Sequence, residues 1–215
     1  MYRTAALALL FYAGAAAQEA PPVPAGTPAV AAPAPAVAPA PAPAGPRVTV
    51  QTRDGAITLE LNRDKAPLTT ANFLKYVDQK RLDGTTFYRA LKFPADAPLG
   101  LVQFGVRGRS DKVLPPVAHE PTSKTGLSHI DGAISMARTT PGSAQADFFI
   151  IVGNLNTLDA NEKDPGYAVF GKVVDGMDVV RKIIDAPTSP TAGEGAMKGQ
   201  MLTPPIPVAT VRRAR

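Results

Sequence analysis

His119-Glu120 begins like the histidine-glutamate pair of a zinc hydrolase helix. No histidine follows at the required offset, and His119 and His129 are the only two in the chain, so a three-histidine zinc site cannot be assembled. Each reads instead as a hydrogen-bonding loop residue. Lys124-Thr125-Gly126 matches a fragment of the penicillin-binding signature, whose Ser-x-x-Lys nucleophile the chain lacks. There is no cysteine, which excludes thiol nucleophiles, disulfides and cysteine-bound metals. G-x-S-x-G, a phosphate-binding loop and a dinucleotide fingerprint are also absent. Asp147 is the residue left to explain. It abuts Phe148 to Val152, an apolar run of the kind that becomes a buried strand, where a carboxylate is costly unless paired.

The elements that would position these groups begin at Arg47. Val48 and Val50, then Ile57, Leu59 and Leu61, alternate around Asp54-Gly55, which predicts a β-hairpin. Pro67 to Gln79 switches to helical spacing, with Leu68, Phe73, Leu74 and Val77 on one face and Pro67 suited to the first turn. Strands are expected over 85–90, 101–105, 132–137, 148–152 and 167–174. A second helix is expected over 177–186 with Met177, Val180, Ile183 and Ile184 inward, and a closing strand over 206–211. Many strands, two helices and no βαβ rhythm predict a mainly β, antiparallel sheet or barrel with helices packed on it. Closure would leave no exposed edge.

Ahead of this domain, residues 1–17 read as a signal peptide: Arg3, an apolar Thr4–Ala13 and small residues at 15–17, with Gln18 as the new N-terminus. The apolar part is too short for a membrane span of about 20 residues. Residues 18–46 read as a spacer, with ten prolines between Pro21 and Pro46. Polyproline-II geometry would extend those 26 residues over on the order of 80 Å. The organisation is therefore leader, spacer, and one domain over 47–215, with the periplasm as the expected location. A net charge of +5 is scattered, apart from Arg212, Arg213 and Arg215 at a terminus expected to be solvated. No basic face with interleaved aromatics points to nucleic acid.

Several stretches, in order, resemble a bacterial cyclophilin. They are Gly55–Leu61, Ala66–Phe73, Gly84-Thr85-Thr86-Phe87-Tyr88-Arg89, Gly132-Ala133-Ile134-Ser135-Met136-Ala137-Arg138, Asp147-Phe148-Phe149-Ile150 and Tyr167 to Met177. The resemblance covers about residues 47–211. It implies a closed eight-stranded antiparallel barrel capped by two α-helices, with a groove on its outer face. It also implies peptidyl-prolyl cis-trans isomerase activity without metal or cofactor, on proline-containing unfolded or exported polypeptides; a monomer is expected, though no residue pattern bears on it. Arg89 matches the catalytic arginine. Leu101 and Gln103, Met136, Ala137 and Arg138, and Phe149, Leu158 and Tyr167 match groove and pocket positions.

Some positions depart from the family pattern. Arg89 and Gln103 stand further apart, with an insertion between Leu91 and Gly100. Gly100 replaces a pocket aromatic unless Phe93 supplies one, Thr157 replaces another aromatic, and Tyr88 stands where His is frequent. Asp147 stands where the family carries a glutamine that orients the arginine. It could hold Arg89, draw it away, or bond a neighbouring backbone N–H or Arg138. If it disarmed Arg89, the chain would be a proline-segment binding module with little turnover.

Overall fold

The computed structural model describes residues 45–93, 99–107 and 109–214. The expected leader and all of the spacer except Gly45 and Pro46 lie outside the described residues. The hairpin is present as β1 (Arg47–Thr52) and β2 (Gly55–Leu61), which pair from Arg47 with Glu60 to Thr52 with Gly55. Thr52 secures the turn, its hydroxyl accepting from Asp54 N at 3.1 Å and donating to Gly55 O at 2.8 Å. Helix α1 (Pro67–Asp78) follows, then β3 (Thr86–Lys92), β4 (Gly100–Gly105), α2 (Thr122–Thr125), β5 (Ala133–Met136), β6 (Asp147–Val152), β7 (Val169–Asp175), α3 (Met177–Ile184), β8 (Thr188–Ser189) and β9 (Met201–Arg213).

All pairings are antiparallel, in the order β1-β2-β7-β5-β6-β4-β3-β9, and β1 pairs with β9 to close an eight-stranded barrel. The two-residue β8 is a ninth strand that adds only to β9. The helix count needs correction, because α2 is a third. It is a single polar turn without apolar periodicity, ended by Gly126 at φ 66°. That turn explains Lys124-Thr125-Gly126, which is a helix terminus.

Alternation along the strands divides the apolar residues between two faces. Phe87, Phe104, Phe148 and Phe170 point into the barrel; Phe148 and Phe170 meet Phe73 from α1, and ring centroids lie 4.8 Å apart for both Phe73–Phe148 and Phe87–Phe104. Leu101, Ala133, Phe149, Ile151 and Val169 point outward into a second cluster. The apolar run of β6 is thus buried on both faces.

Leu68 is a second correction, since it is 51% exposed rather than inward. Thr69 and Thr70 take the buried places in the first turn of α1. There Glu120 accepts hydrogen bonds from Leu68 N at 3.0 Å and Thr69 N at 2.8 Å. A carboxylate on those unpaired N–H groups complements the positive helix end. His119 bonds Pro165 O at 2.9 Å, so the histidine-glutamate pair is structural. Arg212 and Arg213 pair with Asp83 and Asp78, each at 2.7 Å, tying β9 to the end of α1 and the turn before β3.

Candidate active site

A groove of about 700 Å³ runs over the outer faces of β3, β4 and β6. Phe149 forms its apolar floor, with Leu101 and Leu158 beside it and Tyr167 edge-on to Phe149 at 5.4 Å. Ala137 and Arg138 line one end. The Arg138 guanidinium lies 4.8 Å from the Tyr167 ring centroid and donates to Gly166 O at 2.8 Å and Asp164 Oδ1 at 3.0 Å, which fixes the chain entering Tyr167.

Of the residues expected here, Arg89, Leu101, Gln103, Ala137, Arg138, Asp147, Phe149, Leu158 and Tyr167 all line the groove. Met136 does not. It is 1% exposed and packs in the barrel core. The reason is the period of two: with Ala137 outward, its neighbour must point inward.

A β-bulge places Arg89. Phe87 pairs with Phe104 and Arg89 with Gln103, so Tyr88 is an extra residue in β3. Phe87 and Ala90 face the core while both Tyr88 and Arg89 face the groove. Arg89 Nη1 donates to Gln103 Oε1 at 3.0 Å and Nε donates to Gln200 Oε1 at 2.8 Å. Both acceptors are neutral amides, so they orient the guanidinium without neutralising it. Burial pulls its pKa below the usual range, but an arginine keeps its charge at neutral pH. Among the described residues Nη2 has no hydrogen-bond partner.

Asp147 does not touch Arg89 or Arg138. Its Oδ1 accepts from the Tyr88 hydroxyl at 3.0 Å and from Arg107 N at 3.3 Å. Burial raises its pKa, against the hydrogen bonds that favour the carboxylate. Of the alternatives above, the backbone N–H is the one realised, with Tyr88 as an unforeseen second partner.

The floor has its own support. His129 stacks on Phe149 at a centroid distance of 5.9 Å, its Nδ1 bonds Asp159 Oδ1 at 2.6 Å and its Nε2 meets Ser135 Oγ at 3.1 Å. This has the order of a Ser-His-Asp triad. However, His129 and Ser135 are both 0% exposed, so no substrate reaches them. Burial holds the imidazole below its usual pKa, more than Asp159 raises it. The unfolded chain therefore takes up this proton more readily than the fold does. The stability contribution is complete above about pH 6.5 and is lost as pH falls through the lower folded value. The urea midpoint should accordingly drop between pH 7.5 and 5, and drop less in His129→Gln.

The sequence reading missed Tyr88 and Gln200 as partners in the site, and Arg107 as a lining residue. Arg107 lies 4.9 Å from the Tyr88 ring centroid. Phe93 also lines the groove and is 45% exposed, the aromatic at the base of the insertion. Gly100 could not carry the missing aromatic itself, because a Cβ there would lie 1.9 Å from Leu91 O. Thr157 is exposed.

A barrel with an arginine held beside an outward apolar pocket matches known proteins. The family model for cyclophilin type peptidyl-prolyl cis-trans isomerase/CLD matches residues 47–209. A peptidyl-prolyl cis-trans isomerase of Acinetobacter baylyi is 40% identical over 146 residues, covering 66% of this chain and 73% of that one. Peptidyl-prolyl cis-trans isomerase B of Escherichia coli is 39% identical over 141 residues, covering 63% and 82%. The crystal structure of a Cryptosporidium parvum cyclophilin superposes with a TM-score of 0.62 at 20% identity, covering 79% and 98%, a likeness of fold. The chain belongs to the cyclophilin-type peptidyl-prolyl cis-trans isomerases.

Proposed function

We propose that this prolyl isomerase is exported and accelerates X-Pro isomerisation in polypeptides folding in the periplasm, with Arg89 as its catalytic residue. The observation that carries the catalytic reading is a guanidinium oriented by two neutral amide oxygens beside an apolar pocket.

The barrier of ~18–20 kcal/mol is amide resonance. The substrate proline ring lies on Phe149 between Leu101 and Leu158. As the amide twists, the lone pair of the prolyl nitrogen localises and becomes an acceptor. Arg89 Nη2 donates to it. The planar amide offers no such lone pair, so the interaction strengthens only toward the twisted state, as catalysis requires. The apolar floor also favours the twisted amide, which is less polar than the planar one. No covalent bond breaks and no proton is transferred. Ala137, Arg138 and Tyr167 border the residues flanking the proline, and Gln103 keeps the arginine in place.

Uncatalysed isomerisation takes tens of seconds or more and can limit folding, which gives such an enzyme a role among newly exported chains. The leader pattern over residues 1–17 supports that setting. Among the described residues no helix is long and apolar enough to cross a membrane. The mature protein then acts as a monomer on proline-containing polypeptides. One route to the binding-module alternative is Asp147 drawing Arg89 aside, and against it Asp147 bonds Tyr88 and Arg107 N instead. Fractionation of the native host tests the export. The chain should be recovered from the periplasm beginning at Gln18, and recovery from the cytoplasm with Met1 or Tyr2 first would overturn it.

A further inference from the structure

Asp147, Tyr88, Gln103 and Arg89 form a line of hydrogen bonds with one permitted direction. A guanidinium has donors only, so the Gln103 atom 3.0 Å from Arg89 Nη1 is the oxygen. The amide nitrogen of Gln103 then faces the Tyr88 hydroxyl at 2.7 Å and donates to it. Tyr88 must send its own proton elsewhere, and Asp147 Oδ1 lies 3.0 Å away.

The same line read from Asp147 shows what the carboxylate adds. A hydroxyl alone both donates and accepts, so Tyr88 without Asp147 would tolerate either orientation of the Gln103 amide. In the flipped orientation an NH2 group would face Arg89, donor against donor, and push the guanidinium off its position. The carboxylate accepts only. It commits the Tyr88 proton and leaves the hydroxyl oxygen free for Gln103, so that Gln103 Oε1 faces Arg89. Arg107 N donates to the same Oδ1 at 3.3 Å, and a Cβ at Gly105 would lie 2.5 Å from that oxygen.

We propose that Asp147 is a positioning residue for isomerisation: acting through Tyr88, it locks the Gln103 amide in the one orientation that also suits the donor-only guanidinium, and so holds Arg89 in its aim. The proposal rests on Arg89 being the catalytic group. It needs an acceptor oxygen at position 147, not a negative charge.

The test measures kcat/KM for an Ala-Pro peptide together with the side-chain amide NMR signals of Gln103. Asp147→Ala and the near-isosteric Tyr88→Phe should each lower kcat/KM about tenfold. The double variant should fall about tenfold, not a hundredfold, because both changes break the same line. Both single variants should shift the Gln103 amide signals. Asp147→Asn, which retains an acceptor oxygen, should recover most of the turnover that Asp147→Ala loses, an effect that loss of bulk alone would not produce. Single variants within twofold of the parent, or multiplying effects in the double variant, would overturn the proposal. Failure of the underlying reading looks different: Arg89→Ala would itself keep its turnover, and the proposal would fall with it.

Discussion

Arg89→Ala should lower kcat/KM for an Ala-Pro peptide by about a thousandfold, the factor that ~4 kcal/mol of transition-state stabilisation represents. The loss should lie mainly in kcat, because the donor acts on the twisted amide while Phe149, Leu101 and Leu158 still receive the ring. Arg89→Lys should recover little. An ammonium is a point charge without the planar fork that meets Gln103 and Gln200 at two edges and leaves a third nitrogen for substrate. Exchange NMR on the peptide reads the rate. Thermal unfolding should barely move, since Arg89 sits on the outer face of the barrel and its partners are neutral amides. A variant that unfolds with unchanged turnover per folded molecule would show Arg89 to be structural.

The second large effect separates two neighbours on β6. Phe148→Ala should cost about 3–5 kcal/mol of stability, because it empties the centre of the barrel. The Phe148 ring lies 4.8 Å from Phe73, 5.6 Å from Phe104 and 6.0 Å from both Tyr76 and Phe170. Phe149→Ala should cost less, about 2 kcal/mol, because the space it leaves opens to the groove and water can enter. Its main effect should be on substrate, weakening Ala-Pro peptide affinity roughly 10- to 100-fold. Urea denaturation and peptide titration of the two variants check this. Equal stability losses with equal peptide affinities would contradict the two-faced reading of β6.

The barrel was legible where one face is wet or the pattern is regular. The hairpin, α1, α3 and the closing strand all follow from periods of two or 3.6. Met136 follows the same period: with Ala137 outward, it points inward to the core. Where the pattern breaks, sequence gives no warning. The bulge in β3 turns Arg89 toward the groove beside Tyr88, and no period reports it. Gln200 reaches Arg89 from 111 positions away, out of a loop without repeating pattern. Asp147 signalled its oddity by sitting against an apolar strand. Its partners could not be read, because Tyr88 meets it only through the pairing of β3 with β4 and β4 with β6. The resemblance placed most of the groove residues, while the composition and spacing of the same residues would have assigned Phe149 to the core.

The bulge at Tyr88 separates two kinds of tolerance. Phe87 and Arg89 are two apart, so regular alternation would put them on one face; they pair instead with the adjacent Phe104 and Gln103 and take opposite faces, as directly neighbouring residues would, which makes Tyr88 supernumerary to the barrel's register. Removing it would leave the arginine facing the groove and the phenylalanine in the core. Its identity is therefore not dictated by strand pairing or by core packing. Beside the catalytic group the barrel thus has one buried position that its register does not demand and whose hydroxyl answers to the arginine's setting. Natural variation can tune the arginine's setting there without renegotiating the fold.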